Sequence, residues 1–413
     1  MNFLRVRKII LFAVAVSLIF ISGYYLGANG FKLETASFPK LIISREIPKN
    51  RQDVDFALFW KVWDTIDSSY YDKSKIDVGK MVYGAISGMT SALGDPYTAF
   101  LPPEENKVIE EDLSGSFQGI GIQIGFKGKN LAVIAPLPDS PAEKAGVKAG
   151  DLIIGIIDLE KKIETGTSGI NLNDAVRMIR GKAGTKVTLV LLRGESTESF
   201  KKEITREAID VPSVTVNYLE DNTVAHIKLM KFGADTNNEW TKVVTEVINH
   251  QPSIFSLVLD LRNNPGGYLQ GAVDIASEFV KKDSVIVIED KGELKNEYTN
   301  RTDFKTTRTG KFGNMNVVVL VNVGSASASE ILAGALSEIK GYKLVGDKTF
   351  GKGTIQEPLQ LDKGSSLHIT IAKWLTPKGN WIHEKGIEPD IKIADDDKTE
   401  EDEQLQEALK LLK

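Results

Sequence analysis

The chain contains no cysteine, so disulfides, thiol nucleophiles and thiolate metal sites are excluded together. Histidine is scarce, with 4 in the whole chain. There is no basic excess either. The formal net charge is -5, which argues against a nucleic-acid binder, since those normally carry a basic domain. Neither an internal repeat nor a low-complexity tract is visible. What remains is ordinary globular material, 413 residues with 42% hydrophobic and 26% charged. At roughly 100–200 residues per domain, that is enough for about two to four domains.

Arg5, Arg7 and Lys8 precede an apolar run from Ile9 to about Ala28, roughly the 20 residues a bilayer crossing takes. Positive charge before the run keeps the amino terminus in the cytoplasm and places the rest outside, on the periplasmic or extracellular side. A cleaved signal peptide is the competing reading. Against it, bulky Tyr24, Tyr25 and Leu26 stand where small cleavage-site residues are expected. Residues 1–30 are therefore expected to be a membrane anchor, and Asn29 to about Gln52 a stalk. Within 31–112 a helical domain follows. Val78, Met81, Val82, Ala85, Ile86, Met89 and Leu93 share one helical face, and Asp77 is a candidate N-cap. The aromatic-rich stretch with Phe56, Phe59, Trp60, Trp63 and Ile66 either packs within this domain or offers a homodimer surface.

Between 113 and 205 the pattern changes to short strands and glycine turns. Ile120, Ile122 and Ile124 alternate with Gly121 and Gln123. A short helix in Asp139–Asp151 ends at glycine and leads into the strand Leu152 to Ile157. This stretch resembles a protease-associated PDZ domain. In such a domain a glycine-rich loop turns backbone N–H groups towards a peptide carboxylate, and a strand edge takes the peptide. The resemblance implies that Gly119, Ile120 and Gly121 hold a peptide carboxyl terminus, although glycines there also suit a plain tight turn.

From 206 to 395, apolar runs at Val224–Leu229, Phe255–Leu261, Val317–Val323 and Leu367–Trp374 alternate with helical segments near 236–249, 269–281 and 327–340. That order predicts an α/β core of largely parallel strands. In the last segment, 396–413, Leu405, Ala408, Leu409 and Leu412 form one helical face suited to docking on a neighbour. The helical segments near the two ends are thus the candidate homodimer surfaces.

Three places in the core carry polar groups in telling positions. At Val319–Glu330 a buried strand turns through Gly324-Ser325-Ala326-Ser327-Ala328-Ser329-Glu330 into a helix. A hydroxyl at a helix start is exposed beside unpaired N–H groups that favour negative charge. By itself the Ser327–Glu330 spacing is also that of a capping box, which needs no catalysis. At Gly346–Gly353 the chain approaches a phosphate loop, but Gly353 stands where Ser or Thr should be, and no helix-forming run follows. Finally, Leu257–Leu261 runs into Asn263-Asn264-Pro265-Gly266-Gly267, a turn whose amides can be left free.

Gly324–Glu330 and Phe350-Gly351-Lys352-Gly353-Thr354-Ile355-Gln356 together resemble the motif pair of the carboxyl-terminal processing peptidases, tail-specific serine proteases with a Ser–Lys dyad. The resemblance runs from about residue 55 to the end. It implies a multidomain α/β chain: membrane helix, helical domain, inserted PDZ domain and crotonase-like protease core. It also implies Ser327 as nucleophile, Lys352 as general base and Gln356 holding the lysine, with the Gly267 and Ala328 N–H groups as oxyanion hole. No cofactor or metal is expected; the partners are protein or peptide carboxyl termini. Lysine has an unperturbed pKa of about 10.4, so as a base it must be kept neutral by burial. Three alternatives stay open. They are a Ser-His-Asp triad using His226, His250, His368 or His383, an inactive membrane-tethered PDZ scaffold, and a crotonase-like acyl-CoA enzyme.

Overall fold

The computed structural model describes residues 3–28, 31–36, 40–45, 55–137, 139–170, 172–194, 198–250, 253–292, 300–394 and 401–413. The chain divides into two units, 1–84 and 85–413. In the first, the apolar run forms one helix, α1 (Phe3–Ala28). Its side chains are described from Leu11 to Tyr25, and Phe12, Ile19 and Phe20 are exposed. Among the described residues no helix is long and apolar enough to cross a membrane. The predicted stalk is not irregular throughout, because β1 (Phe31–Ala36) and β2 (Lys40–Arg45) pair antiparallel. Strands this short are too brief to set a readable period. The rest of the stalk, 29–30, 37–39 and 46–52, lies outside the described residues.

Helix α2 (Ala57–Ser69) buries none of its residues and shows Leu58, Trp60 and Val62 to solvent. Its rings meet each other, Phe59 and Trp60 edge to face at 5.1 Å. The periodic run becomes α3 (Val78–Ser91), and Asp77 Oδ1 accepts the Lys80 N–H at 3.1 Å, as an N-cap should.

The second unit takes in the last turns of α3 and goes on to β3 (Ala99–Leu101) and α4 (Pro103–Ser114), followed by β4 (Ser116–Gly119). The PDZ-like stretch then builds β5 (Ile122–Lys127), β6 (Asn130–Pro136), α5 (Pro141–Lys144), β7 (Leu152–Asp158), β8 (Ile163–Gly166), α6 (Leu172–Ile179), β9 (Lys186–Leu192) and β10 (Phe200–Thr205). These elements enclose a core of their own around Ile120, Leu131, Ile153, Ile156 and Leu189. Sheet order β10-β9-β7-β6-β5 leaves β5 on the edge, with α6 beside it. Arg206, 1% exposed, closes the domain by pairing with buried Asp158 at 2.6 Å. Strand β11 (Glu207–Asp210) then returns antiparallel to β4 with Glu207 opposite Gly119. The outgoing and returning chains thereby form a two-stranded stem.

The remaining core runs β12 (Val214–Leu219), β13 (Val224–Leu229), α7 (Thr236–Asn249), β14 (Ser256–Asp260), α8 (Leu269–Ala276), β15 (Val285–Asp290), β16 (Arg301–Lys305), β17 (Asn316–Val321), α9 (Ala328–Lys340), β18 (Lys343–Gly346), β19 (Thr354–Gln360), β20 (Ser366–Leu375), β21 (Ile391–Lys392) and α10 (Glu403–Leu411). One sheet, β12-β13-β14-β17-β18-β21, is antiparallel only at β12–β13. Every residue of β14 is buried, as in a parallel strand covered on both faces. Leu257, Leu259, Val319 and Val321 pack on the side of α7, α8 and α9, while Val258, Val318 and Leu320 pack against Ala408 and Leu409 of α10.

Two expectations are corrected here. Strand β20 does not join the parallel sheet. It belongs to an antiparallel sheet, β16-β15-β20-β19, with β3 along its flank. A β-branched run does not say which strand it will pair with, and the half-buried middle of β20 suits a sheet open on one side. The second concerns the carboxyl-terminal apolar face, which is covered by the chain's own sheet rather than left for a partner. The homodimer expectation is thus left to the aromatic surface of α2.

Candidate active site

Ser327 stands between β17 and α9, beyond the carboxyl end of a parallel strand, where ligands of open α/β sheets are bound. Its backbone has φ 56 and ψ -116, which no ordinary helix cap requires. A non-glycine residue in such a region costs about 1–3 kcal/mol and persists only where its surroundings hold it. Those surroundings are visible. The Ser325 hydroxyl donates to the Leu261 carbonyl at 2.8 Å, and the Ser329 hydroxyl to the Asn264 carbonyl at 2.9 Å. The Ala326 N–H donates to the same Asn264 carbonyl at 3.0 Å. The serine-rich turn is thus stitched to the Asn-Pro-Gly-Gly turn.

Glu330 is fully buried and does more than cap a helix. Its Oε2 accepts the Ser327 N–H at 2.8 Å and the Lys352 N–H at 2.9 Å. Oε1 accepts the Gly351 N–H at 2.7 Å and the Thr349 hydroxyl at 2.6 Å. One carboxylate therefore gathers the serine turn and the lysine loop, and the Phe350 N–H adds a bond to the Ser325 carbonyl at 3.0 Å. The capping box of the sequence does form, so cap and assembly point are the same residue pair.

Lys352 lies in the loop between β18 and β19, where a phosphate loop would instead lead into a helix. Its carbonyl accepts the Trp374 indole N–H at 2.8 Å, and the next carbonyl, of Gly353, accepts that of Trp381 at 2.9 Å. Burial pushes the amine below its ordinary value, while the carboxylates of Asp95 and Glu330 pull the other way. The Nζ sits 5.1 Å from the centre of the Tyr97 ring. Among the described residues no hydrogen bond joins Nζ to the Ser327 hydroxyl. Gln356, expected to hold the lysine, donates instead to the hydroxyls of Thr354 at 2.9 Å and Thr370 at 3.1 Å. The Thr370 N–H donates to the Thr98 oxygen at 3.0 Å and the Thr98 hydroxyl to Asp95 at 2.7 Å, so Gln356 reaches the lysine's electrostatic neighbour rather than the lysine.

The glycine pressed against the serine is Gly266. A Cβ there would lie 2.8 Å from Ser327 Cβ and 3.0 Å from the Ala328 nitrogen. Its own N–H is taken by Asn264 Oδ1 at 2.9 Å. Gly267 lies in a parallel bridge with Phe232, built from the Phe232 N–H to the Gly266 carbonyl and the Tyr268 N–H to the Phe232 carbonyl. That pattern does not use the Gly267 N–H. Ala328 opens α9, where first-turn amides have no intrahelical partner.

A histidine triad does not assemble. His226 does pair with an aspartate, Asp260, at 3.1 Å. That aspartate is held by Arg262, which also grips Asp402 beside α10. The pair therefore lies on the sheet face opposite α9 and Ser327. His383 is near the lysine loop, accepting the Gly353 N–H on Nδ1 at 3.3 Å and stacking on Trp381 at 5.2 Å.

At the second candidate site, the Ile120 carbonyl accepts from Ala142 and the Gly121 carbonyl from Leu137, both at 2.9 Å. Among the described residues nothing accepts the Ile120 and Gly121 N–H groups. Gly121 has φ +70, and a Cβ there would lie 2.4 Å from that of Ser140. Gly119 is committed to the stem opposite Glu207. Among the described residues no group of side chains could hold a metal ion.

Sequence reasoning missed Asp95, Tyr97, Trp374 and Trp381 as neighbours of the lysine. Only the Gly94-Asp95-Pro96 turn hinted at a fixed loop, and nothing in it named a destination.

Comparison with known proteins places this geometry in context. The model of peptidase family S41 matches residues 223–393, that of the activating protease CtpB N-terminal domain 19–105, and that of the PDZ domain 133–193. The carboxy-terminal processing protease CtpB of Bacillus subtilis (strain 168) is 35% identical over 396 residues, covering 95% of this chain and 78% of the relative. CtpA of the same organism is 38% identical over 341 residues, covering 82% and 69%. A solved structure from Bacteroides fragilis NCTC 9343, described as an S41 protease, aligns with TM-score 0.51 over 81% of this chain and 90% of its own. At 14% identity that likeness concerns the fold alone.

Proposed function

This chain belongs to peptidase family S41, the carboxy-terminal processing proteases, and within that serine-type hydrolase chemistry we propose an endopeptidase acting through Ser327 and Lys352. The neutral Lys352 amine takes the Ser327 hydroxyl proton as the oxygen attacks the scissile carbonyl. The same proton then passes to the departing amine, leaving an acyl-enzyme that water hydrolyses. The N–H groups of Gly267 and Ala328 receive the tetrahedral oxyanion; removing one such donor typically costs roughly 100–1000-fold in rate. Gln356 steadies the lysine through Thr370 and Asp95.

The observation that carries this reading is the Glu330 carboxylate, on whose Oε2 the Ser327 and Lys352 amides meet. A helix cap alone has no use for the lysine loop. The test is incubation of the full chain, in detergent, with unfolded casein. Wild type should cleave it and Ser327→Ala should not; cleavage by the variant would remove Ser327 from the mechanism.

Substrates are captured by their carboxyl termini, added as a strand to the edge of β5 with the carboxylate on the Ile120 and Gly121 amides. The apolar segment within α1 tethers the protein, with its catalytic part outside the cytoplasm. In support stand three basic residues followed by an apolar run. Full-length chain mixed with liposomes should stay in the membrane pellet after alkaline carbonate washing, and release into the supernatant would discard the tether.

A further inference from the structure

The main chain of Lys352 is pinned on both sides. Its N–H goes to buried Glu330, its carbonyl to the indole of Trp374, and the Gly353 carbonyl to that of Trp381. Only the side chain is left to move. Its Nζ lies against the Tyr97 ring and away from a bond with Ser327. The ring is braced in turn. It meets His383 edge-on at 6.0 Å, and the Tyr97 N–H donates to Asp95 Oδ1 at 3.0 Å. Asp95 Oδ2 accepts the Thr98 hydroxyl at 2.7 Å, and the Thr98 oxygen accepts the Thr370 N–H at 3.0 Å. An aromatic face attracts an ammonium ion and not a neutral amine. A nearby carboxylate has the same preference.

We propose that Tyr97 and Asp95 form a resting berth for the protonated Lys352 amine, which the side chain leaves for Ser327 when it gives up its proton. The inference rests on the reading of Lys352 as the base. Tyr97 and Asp95 are positioning residues, since they act on substrate only through the lysine. The other titratable groups facing this place are Glu330, His368, His383 and Glu384, the last acting on Tyr97. Glu330 also favours the ammonium form, but its oxygens hold three amides and a hydroxyl, so altering it would disturb both loops. His368 is held below its ordinary value by burial and then by the lysine's charge. His383 acts on Asp95.

The berth can be read on the amine itself. Lysines of the full chain are labelled competitively with acetic anhydride across a pH series, and acetylation of Lys352 is followed by mass spectrometry. Tyr97→Leu and Asp95→Asn each remove a group that favours the charged amine, so each should lower the labelling midpoint. A fall of about half to one pH unit would make Lys352 react roughly 3–10-fold faster below the midpoint. Tyr97→Phe keeps the ring and should follow wild type. In parallel, the acidic limb of the Ser327 reaction with a fluorophosphonate should move the same way. An unchanged or raised midpoint in the Leu and Asn variants overturns the berth and leaves Tyr97 as a mere cover against water. Should Tyr97→Leu fail to fold, Asp95→Asn decides alone. A shifted label with an unshifted fluorophosphonate limb would keep the berth while removing Lys352 as the base.

Discussion

Burial and charge pull the Lys352 amine in opposite directions, and burial wins. Because only the neutral amine can accept the serine proton, activity must rise with pH and fade as the amine becomes charged. The midpoint of that limb should lie below the ordinary lysine value of about 10.4. Along it, acylation of Ser327 should grow about tenfold per pH unit. Lys352→Arg supplies the decisive control, since a guanidinium stays protonated throughout this range. It should remain folded and be inert at every pH. A surviving limb in that variant would assign the proton to some other group. The two motifs were legible in the sequence, and their loops do meet on Glu330. Their surroundings were not. Tyr97 and Asp95 come from a turn more than 200 residues away in sequence, and only the pairing of β3 with β20 brings them to the lysine.

Helix α10 shows how an element can be read correctly and assigned to the wrong partner. Its apolar face was plain from the spacing of Leu405, Ala408, Leu409 and Leu412, but periodicity does not say what covers a face. The polar network decides that. Arg262 bridges buried Asp260, at 2.7 Å, to Asp402, which caps α10. Burial alone would raise the Asp260 carboxyl, yet hydrogen bonds from His226 and Arg262 and the guanidinium charge hold it well below the ordinary range. Arg262→Ala would strand that carboxylate, at a cost of about 3–5 kcal/mol. A group with a depressed folded value stabilises above its unfolded pKa, about 3.9 for aspartate, and loses that contribution as pH falls through the folded value. Urea unfolding should therefore show the full gap between wild type and variant at neutral pH and a narrowing gap below pH about 4. A gap that ignores pH would mean that lost packing, not the ion pair, was responsible. Strands β13 and β14, by contrast, were readable almost to the residue; β14 is buried along its whole length, and β13 buries Ala225, Ile227 and Leu229 on one face. Strand β20 shared their composition and not their sheet, because partner choice is made by long-range pairing.

The inserted domain and the catalytic core have separate interiors, which makes the insertion removable. Among the described residues, none between 120 and 206 contributes to the buried cluster of the core. The stem also sits firmly. The Lys231 amine donates to the Asp112 carbonyl and the Ala234 N–H to the Leu113 carbonyl, both at 2.8 Å. The intervening Phe232 bonds to Gly266 and Tyr268 on either side of Gly267. The foot of the insertion and the turn beside Ser327 thus share one short segment, and an excision must leave it intact. Because Gly119 faces Glu207 across the stem, residues 120–206 can be replaced by an Asn-Gly turn that continues the ribbon. The excised protein should keep its reaction with a fluorophosphonate and lose its sense of the substrate's end. With the insertion in place, a peptide with a free carboxylate should be cleaved about tenfold faster than its amidated twin, the worth of one charge-assisted hydrogen bond. Without it the two rates should converge. A preference that outlives the excision would put tail recognition inside the catalytic core. The overall rate carries a second message: slower cleavage of unfolded protein means the domain only recruits, while faster cleavage means it also obstructs the site, whose Gly266–Tyr268 turn is bonded to Phe232 in the segment that anchors the foot of the insertion.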